Sequence, residues 1–276
     1  MKPVAFDYVR PATVDEAIGI LGENPDGKVL AGGQTLGPML NLRLAQPTLL
    51  VDITRIPDLV RVEHLPDAIM LGACITHASI EDGRVPEPGH DVLARIARGI
   101  AYRAVRSRGT IGGSLAHADP AADWLSLLTA LNATVLLRGA GGERSSPLTA
   151  FVTGPMMTGL AAGEIVVGVR VPKLGRNSRV GYNKICRKTG DFADAIGVAV
   201  YDPERETLRF VAGSVGGAPI VIDDVRPPSS GRAESRRECI ENLRSRLQSA
   251  GLGADAYKLN IHAVTLRRAF NEVFPA

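Results

Sequence analysis

The residues with the clearest chemical potential in this chain are paired glycines. Gly32-Gly33-Gln34-Thr35 stands between an apolar run, Lys28 to Ala31, and a leucine-bearing stretch, Leu36 to Leu44. Adjacent glycines reach backbone angles closed to other residues and let a ligand approach the main chain. Consecutive N–H groups in such a turn converge on one concavity, which suits an anion such as a pyrophosphate. A plain strand-to-helix turn would use the same residues. The pattern returns at Gly109 to Trp124, GTIGGSLAHADPAADW, where Gly112-Gly113 precede Ser114. Two turns of one type can face a single ligand from two sides.

Other chemistry-bearing patterns are incomplete. His117 and Asp119 form an acid–base pair without a nucleophile or third member, and Asp119-Pro120 reads as an N-cap followed by a first-turn proline. Gly22 to Lys28, GENPDGK, imitates a phosphate loop, but Val29 occupies the hydroxyl position and a strand follows. Gly139-x-Gly141 is half a dinucleotide fingerprint with Arg144 at its last glycine position, so a hairpin is the better reading. Cys74, Cys186 and Cys239 share no cluster spacing and read as idle or buried thiols. His77 reads as a cap or surface residue, and Asp52 as a partner of local backbone. Arg95, Arg98, Arg103, Arg106 and Arg108 read as a solvated helix face.

These residues must be held by an α+β chain. Thr13-x-x-Glu16 opens a helix through a capping box. Leu36, Leu40 and Leu44 predict the core face of a helix after the first glycine turn. Strands are expected at Phe6 to Val9, Lys28 to Ala31, Leu49 to Ile53, Ala68 to Ile75, Thr134 to Leu137 and Ile165 to Val171. Beyond a polar linker at Gly175 to Ser178, an antiparallel pair, Ala195 to Tyr201 and Thr207 to Val215, precedes helices at Ala233 to Ala250 and Tyr257 to Val273. The net charge is only +3 and aromatic residues make up 4%, which argues against a nucleic-acid surface. No apolar run spans a bilayer and the N-terminus has no signal-peptide core, so the expected compartment is the cytoplasm.

Together, AGGQTL and TIGGSLAHADPAAD resemble the two FAD-binding motifs of the flavoprotein (medium) subunits of molybdenum hydroxylases, a family that includes aerobic carbon monoxide dehydrogenase and xanthine dehydrogenase relatives. FDYVRPATVDEAIGIL, YNKICRKTGDFADAIGVAV and YKLNIHAVTLRRA resemble it too, in order and spacing. The likeness covers nearly the whole chain and is weakest over Gly217 to Leu252. It implies a two-subdomain FAD-binding domain of the vanillyl-alcohol-oxidase/PCMH type, not a Rossmann fold, over residues 1–175. Its subdomains would be about 1–56 and 57–175, with a smaller α+β domain at 176–276.

The resemblance also implies a site. Adenine and pyrophosphate would lie along Val29, Leu30, Ala31, Gly32, Gly33, Gln34, Thr35 and Leu36, and along Thr110, Ile111, Gly112, Gly113 and Ser114. Asp119 belongs to the segment that wraps the cofactor, and Asp123 carries the role toward the sugar–phosphate portion. Ile100 or Ala101, and Ile165 or Val166, would line the site. Lys184 would stand near the isoalloxazine, where a positive charge favours reduced, anionic flavin. Phe192 falls where relatives often carry a tyrosine, keeping the aromatic face without the hydroxyl. No catalytic or metal-binding residue is implied on this chain. A molybdopterin-containing large subunit and a [2Fe–2S] small subunit would be its partners, with quinone, NAD⁺ or oxygen as acceptor. Two rival readings stand beside this one: a stand-alone FAD-dependent oxidoreductase of the same fold, and a scaffold subunit without cofactor.

Overall fold

A computed structural model describes residues 2–223, 225–228 and 233–275. The first unit holds β1 (Asp7–Val9), α1 (Val14–Glu23), β2 (Lys28–Leu30), α2 (Leu36–Asn41) and β3 (Leu49–Asp52). Its three strands run parallel in the order β1-β3-β2. The capping box forms as expected: Thr13 Oγ1 accepts from the Glu16 N–H at 3.2 Å, and Glu16 Oε2 accepts from the Ala12 N–H at 2.7 Å. α1 buries Val14, Ala17, Ile18 and Leu21 in one cluster with Leu49 and Val51 of the fully buried central strand β3. The phosphate-loop imitation is a turn, closed by the Gly27 N–H on the Asn24 carbonyl at 2.8 Å.

The leucine face expected in α2 does not form. The helix ends at Asn41, Arg43 adopts a left-handed conformation (φ 58°), and Leu44 is 71% exposed, leaving Leu40 as the buried member. The helix has ended before Leu44 is reached, so i, i+4 spacing no longer means a shared face.

The second unit carries β4 (Val62–His64), β5 (Ala68–Gly72), α3 (His77–Glu81), α4 (Val92–Arg98), α5 (Arg103–Arg106), α6 (Ile111–His117) and α7 (Asp123–Ala130). It continues with β6 (Thr134–Gly139), β7 (Gly142–Pro147), α8 (Leu148–Phe151), β8 (Val152–Gly154), β9 (Met157–Thr158) and β10 (Ile165–Pro172). Five antiparallel strands line up as β4-β5-β10-β6-β7. The half-fingerprint at Gly139 is the β6–β7 hairpin, with Gly142 at φ 102° where only glycine is unstrained. β5, β6 and β10 bury their apolar residues against α4, α6 and α7 in the main core.

The third unit is an antiparallel meander of β11 (Arg179–Ile185), β12 (Ala195–Asp202), β13 (Thr207–Gly213) and β14 (Ile220–Ile222), followed by α9 (Ala233–Ser249) and α10 (Ala256–Val273). α10 lies so close to the sheet that a β-carbon on Gly181 would sit 2.0 Å from the Ala269 carbonyl oxygen. The opposite face, through Ile196, Val198, Val200 and Val211, packs into the main core with Leu125 and Leu128. β11 is a strand the sequence pattern hides, because Gly181 and Asn183 interrupt its alternation. Among the described residues no helix is long and apolar enough to cross a membrane.

Candidate cofactor site

At the first glycine motif β2 ends and the chain turns through Gly33 at φ 71°. The Gln34 Nε2 donates to the Gly32 carbonyl at 3.2 Å, and the Gly33 and Thr35 carbonyls accept from the N–H groups of Gly37 and Met39. Among the described residues no acceptor meets the N–H groups of Gly32, Gly33, Gln34, Thr35 or Leu36, and Thr35 supplies no side-chain cap. A helix start leaves donors of this kind to be satisfied by side chains, water or a ligand. Here the protein supplies no acceptor. Val29, Leu30, Ala31 and Leu36 are half-buried around the turn.

The second motif corrects the expectation of a matching turn. Gly112 and Gly113 lie in the first turn of α6, and their donors are already used. Ile111 donates to the Ile75 carbonyl at 3.0 Å, Gly112 to Ala73 at 2.9 Å, Gly113 to Thr110 Oγ1 at 3.0 Å and Ser114 to the Thr110 carbonyl at 3.0 Å. These glycines serve close packing: a β-carbon on Gly112 would lie 2.5 Å from that of Ala73. The two motifs nevertheless meet. A β-carbon on Gly32 would lie 2.1 Å from the Arg108 carbonyl oxygen, and the Ala31 β-carbon stands 3.8 Å from the equivalent position on Gly113. The open backbone donors therefore belong to the first motif, and the second packs against it. Asp119 also departs from expectation. It caps no helix; its Oδ1 accepts from the Ala121 N–H at 2.9 Å within a turn, and α7 begins later, at Asp123.

His77 is not at the surface. It is buried, its Nδ1 accepts from Trp124 Nε1 at 3.1 Å, and its N–H donates to the Gly109 carbonyl at 2.9 Å. Burial, helped by the Arg106 charge, brings its pKa down to about 4, so the ring is neutral and receives the indole proton. It thereby seats α7 and the approach to the second motif.

Asp123 and Lys184 are the most telling pair. The Lys184 ammonium donates to both Asp123 carboxylate oxygens at 3.1 Å, and the Tyr182 hydroxyl donates to Oδ1 at 2.5 Å. Burial raises the pKa of Asp123, against the Lys184 charge and the Tyr182 hydrogen bond. The expectation had divided these two residues between the sugar–phosphate and ring ends of the ligand. The structure joins them in one ion pair.

The arginine-rich stretch is a largely exposed face, as expected, and it also braces its surroundings. Arg103 pairs with Glu81 and Asp82 at 2.7 Å. The largely buried Arg106 pairs with Glu81 at 2.7 Å and donates to the Ile100 and Ala101 carbonyls at 2.8 and 3.0 Å. Arg108 Nε reaches the Gly32 carbonyl at 3.4 Å, and Arg95 reaches the Val180 carbonyl at 2.9 Å; Arg95, Arg98, Arg103 and Arg108 are exposed, and Arg106 is the member drawn inward. Arg106 holds Ala101 in a left-handed conformation (φ 44°) beside Gly190, which bridges to Ile100 and whose own β-carbon would meet the Ala101 carbonyl at 2.6 Å. This contact brings the Ile100–Ala101 backbone to the loop that carries Phe192, 72% exposed.

Ile165 and Val166 turn their side chains into packed structure. They are 2% and 5% exposed inside β10, one in the first core and the other in the main core. Asp52 also does more than bind local backbone: Thr54 donates to it from N–H and hydroxyl, and Tyr8 and Arg10 reach it from β1 and the turn beyond. Burial pushes its pKa upward, but the donors outweigh that and bring it to about 2.

Residues 4–174 match the FAD-binding domain family of molybdopterin dehydrogenases. The chain is 37% identical to the nicotine 6-hydroxylase medium subunit of Paenarthrobacter nicotinovorans, over 79% of this chain and 76% of that one. It is 32% identical to the glyceraldehyde dehydrogenase medium chain of Sulfolobus acidocaldarius, over 99% of this chain and 100% of that one. A chain of carbon monoxide dehydrogenase from Hydrogenophaga pseudoflava superimposes with a TM-score of 0.87 at 31% identity, over 99% of each chain. The chain belongs to the FAD-binding domain family of molybdopterin dehydrogenases. Its cofactor is FAD, its fold is the two-subdomain PCMH type followed by a smaller α+β unit, and it is an oxidoreductase subunit. The residues present fit that cofactor: a row of open N–H groups in a left-handed glycine turn, with no side chain filling the approach at Gly33, matches a pyrophosphate.

Proposed function

We propose that this chain is the electron-transfer flavoprotein subunit of a heteromeric molybdenum-containing hydroxylase. In this reading it takes electrons from the [2Fe–2S] clusters of a small partner subunit and passes them to an external acceptor: quinone, NAD⁺ or oxygen. Substrate is oxidised on a molybdopterin-containing large subunit. The observation that carries the reading is the unsatisfied N–H row of Gly32 to Leu36, set against the backbone of the second motif.

Bound there, FAD supplies the exchange of one or two electrons. The chain's own residues bind and orient it. The Gly32–Thr35 turn takes the pyrophosphate, Ser114 offers a half-exposed hydroxyl beside it, and Ile100 and Ala101 present the backbone held by Arg106. Lys184 and Asp123 meet the flavin portion, and the exposed Phe192 offers it an aromatic face. The metal centres fall to partner chains, since Cys74 and Cys239 lie in different cores, with thiol pKa values pushed by burial to about 12 and about 11. We place the FAD-binding part at residues 1–175, with subdomains near 1–56 and 57–175, and the C-terminal unit at 176–276; the end of the family match at residue 174 supports this division.

Gly33→Val tests the reading. At φ 71° a β-branched side chain is strained, and its β-carbon would come 3.3 Å from Leu30 Cδ1. The variant should fold and lose its flavin. Flavin content equal to wild type would count against the turn as the pyrophosphate site.

A further inference from the structure

β11 alternates its side chains, and Tyr182 and Lys184 share the face that looks toward the main core. Their partners in β12 are Val198 and Ile196, both buried there. Both side chains converge on Asp123, the first residue of α7, from which a helix start favours negative charge. The Tyr182 hydroxyl has Asp123 as its hydrogen-bond partner at 2.5 Å. The Lys184 ammonium has three donors, two of them directed at the carboxylate, which leaves one for a ligand.

We propose that Tyr182 is a positioning residue for the flavin site: its phenol fixes the Asp123 carboxylate, which in turn fixes Lys184 and keeps its charge compensated. The inference rests on Lys184 facing the flavin, as argued above. Tyr182 touches neither cofactor nor acceptor in this account; it acts through Asp123. Burial already favours the neutral carboxyl at Asp123, and the phenol and the ammonium oppose it. The other charged and titratable groups facing the cluster are Cys186, just past the end of β11, Arg95 on α4, and Glu272 on α10, which accepts from the Tyr182 N–H at 3.1 Å and pairs with Arg95. Removing the phenol takes away a hydrogen bond to the ionised form, so Asp123 would hold its proton to higher pH and leave the lysine charge uncompensated.

The test uses the full FAD-loaded chain. The flavin midpoint potential is measured against pH in wild type, Tyr182→Phe and Lys184→Ala, each referred to Asp123→Asn so that the flavin's own ionisations cancel. Tyr182→Phe keeps the ring and its packing. Its bend in potential against pH should move upward by about one to two pH units, while its potential well above the bend stays at the wild-type value. An unmoved bend overturns the proposal. Lys184→Ala separates two failures. If it lowers the potential at high pH while Tyr182→Phe changes nothing, only the role of Tyr182 is lost. If it too has no effect, the placement of Lys184 at the flavin fails, and the proposal with it. Should Asp123→Asn not retain FAD, the carboxyl stretch of Asp123 followed by infrared spectroscopy against pH in wild type and Tyr182→Phe makes the same comparison.

Discussion

Gly32→Ala separates the two glycine motifs with a single methyl group. That methyl would lie 2.1 Å from the Arg108 carbonyl oxygen, 2.6 Å from its carbonyl carbon and 2.8 Å from the Gly109 α-carbon. All three are backbone atoms, held by the Gly109 N–H on the Val105 carbonyl at 2.7 Å and by the His77 N–H on Gly109. No side-chain rotation relieves the clash; the segments must part. Forced insertion into packed structure costs about 1–3 kcal/mol. For a chain of this size each kcal/mol lowers the melting temperature by roughly 2–4 °C, so a loss of about 2–12 °C is expected. FAD held against both segments should weaken about 10- to 100-fold, because each 1.4 kcal/mol is about a factor of ten. Thermal denaturation and quenching of the lone tryptophan, Trp124, which adjoins Asp123, read the two effects. Gly19→Ala in α1 is the control: nothing lies within 4 Å of its β-carbon, and helix propensity makes it neutral or stabilising by about 0.5–1 kcal/mol. A Gly32→Ala chain that melts and binds FAD as wild type does would refute the abutment of the motifs.

Acid titration should show two windows. His77 has a folded pKa lowered to about 4, so its neutral, indole-bonded form contributes fully above pH 6.5. Roughly 3 kcal/mol is lost as pH falls toward 4, and His77→Phe should remove that slope in urea unfolding. Asp52 is likewise lowered, to about 2. Its share of about 2 kcal/mol is present above the ordinary carboxylate range and lost between about pH 4 and 2, a slope that Asp52→Asn should abolish. Lys184→Ala should lower the flavin midpoint potential by removing a positive charge beside the ring; an unchanged potential removes Lys184 from the ring environment. Arg106→Gln should raise the FAD dissociation constant by about tenfold by freeing the Ile100–Ala101 carbonyls and unpairing Glu81, and equal affinity in the variant would make that brace dispensable.

The sequence was most legible where local pattern and structure share a cause. The capping box at Thr13, the hairpin at Gly139 and the antiparallel pair β12–β13 follow from hydrogen bonding and period alone. The first glycine turn was readable as a turn because Gly33 needs its left-handed conformation locally. What failed depended on contacts from far along the chain. Gly112 is a glycine because Ala73 lies against it, not because it turns, and a second Gly-Gly spelled the same way conceals that difference. His77 is buried by Trp124, and Arg106 by carbonyls that no spacing rule joins to it. Tyr182 went unmarked because its partner, Asp123, lies on another element far along the chain. Leu44 was misplaced because a left-handed arginine ended the helix early.

The most direct test of the central claim is a visible absorption spectrum of the natively purified protein, followed by release and identification of the chromophore. The account predicts flavin bands and released FAD, with iron–sulfur absorption added when partner subunits co-purify. A colourless protein that also fails to take up added FAD would contradict it.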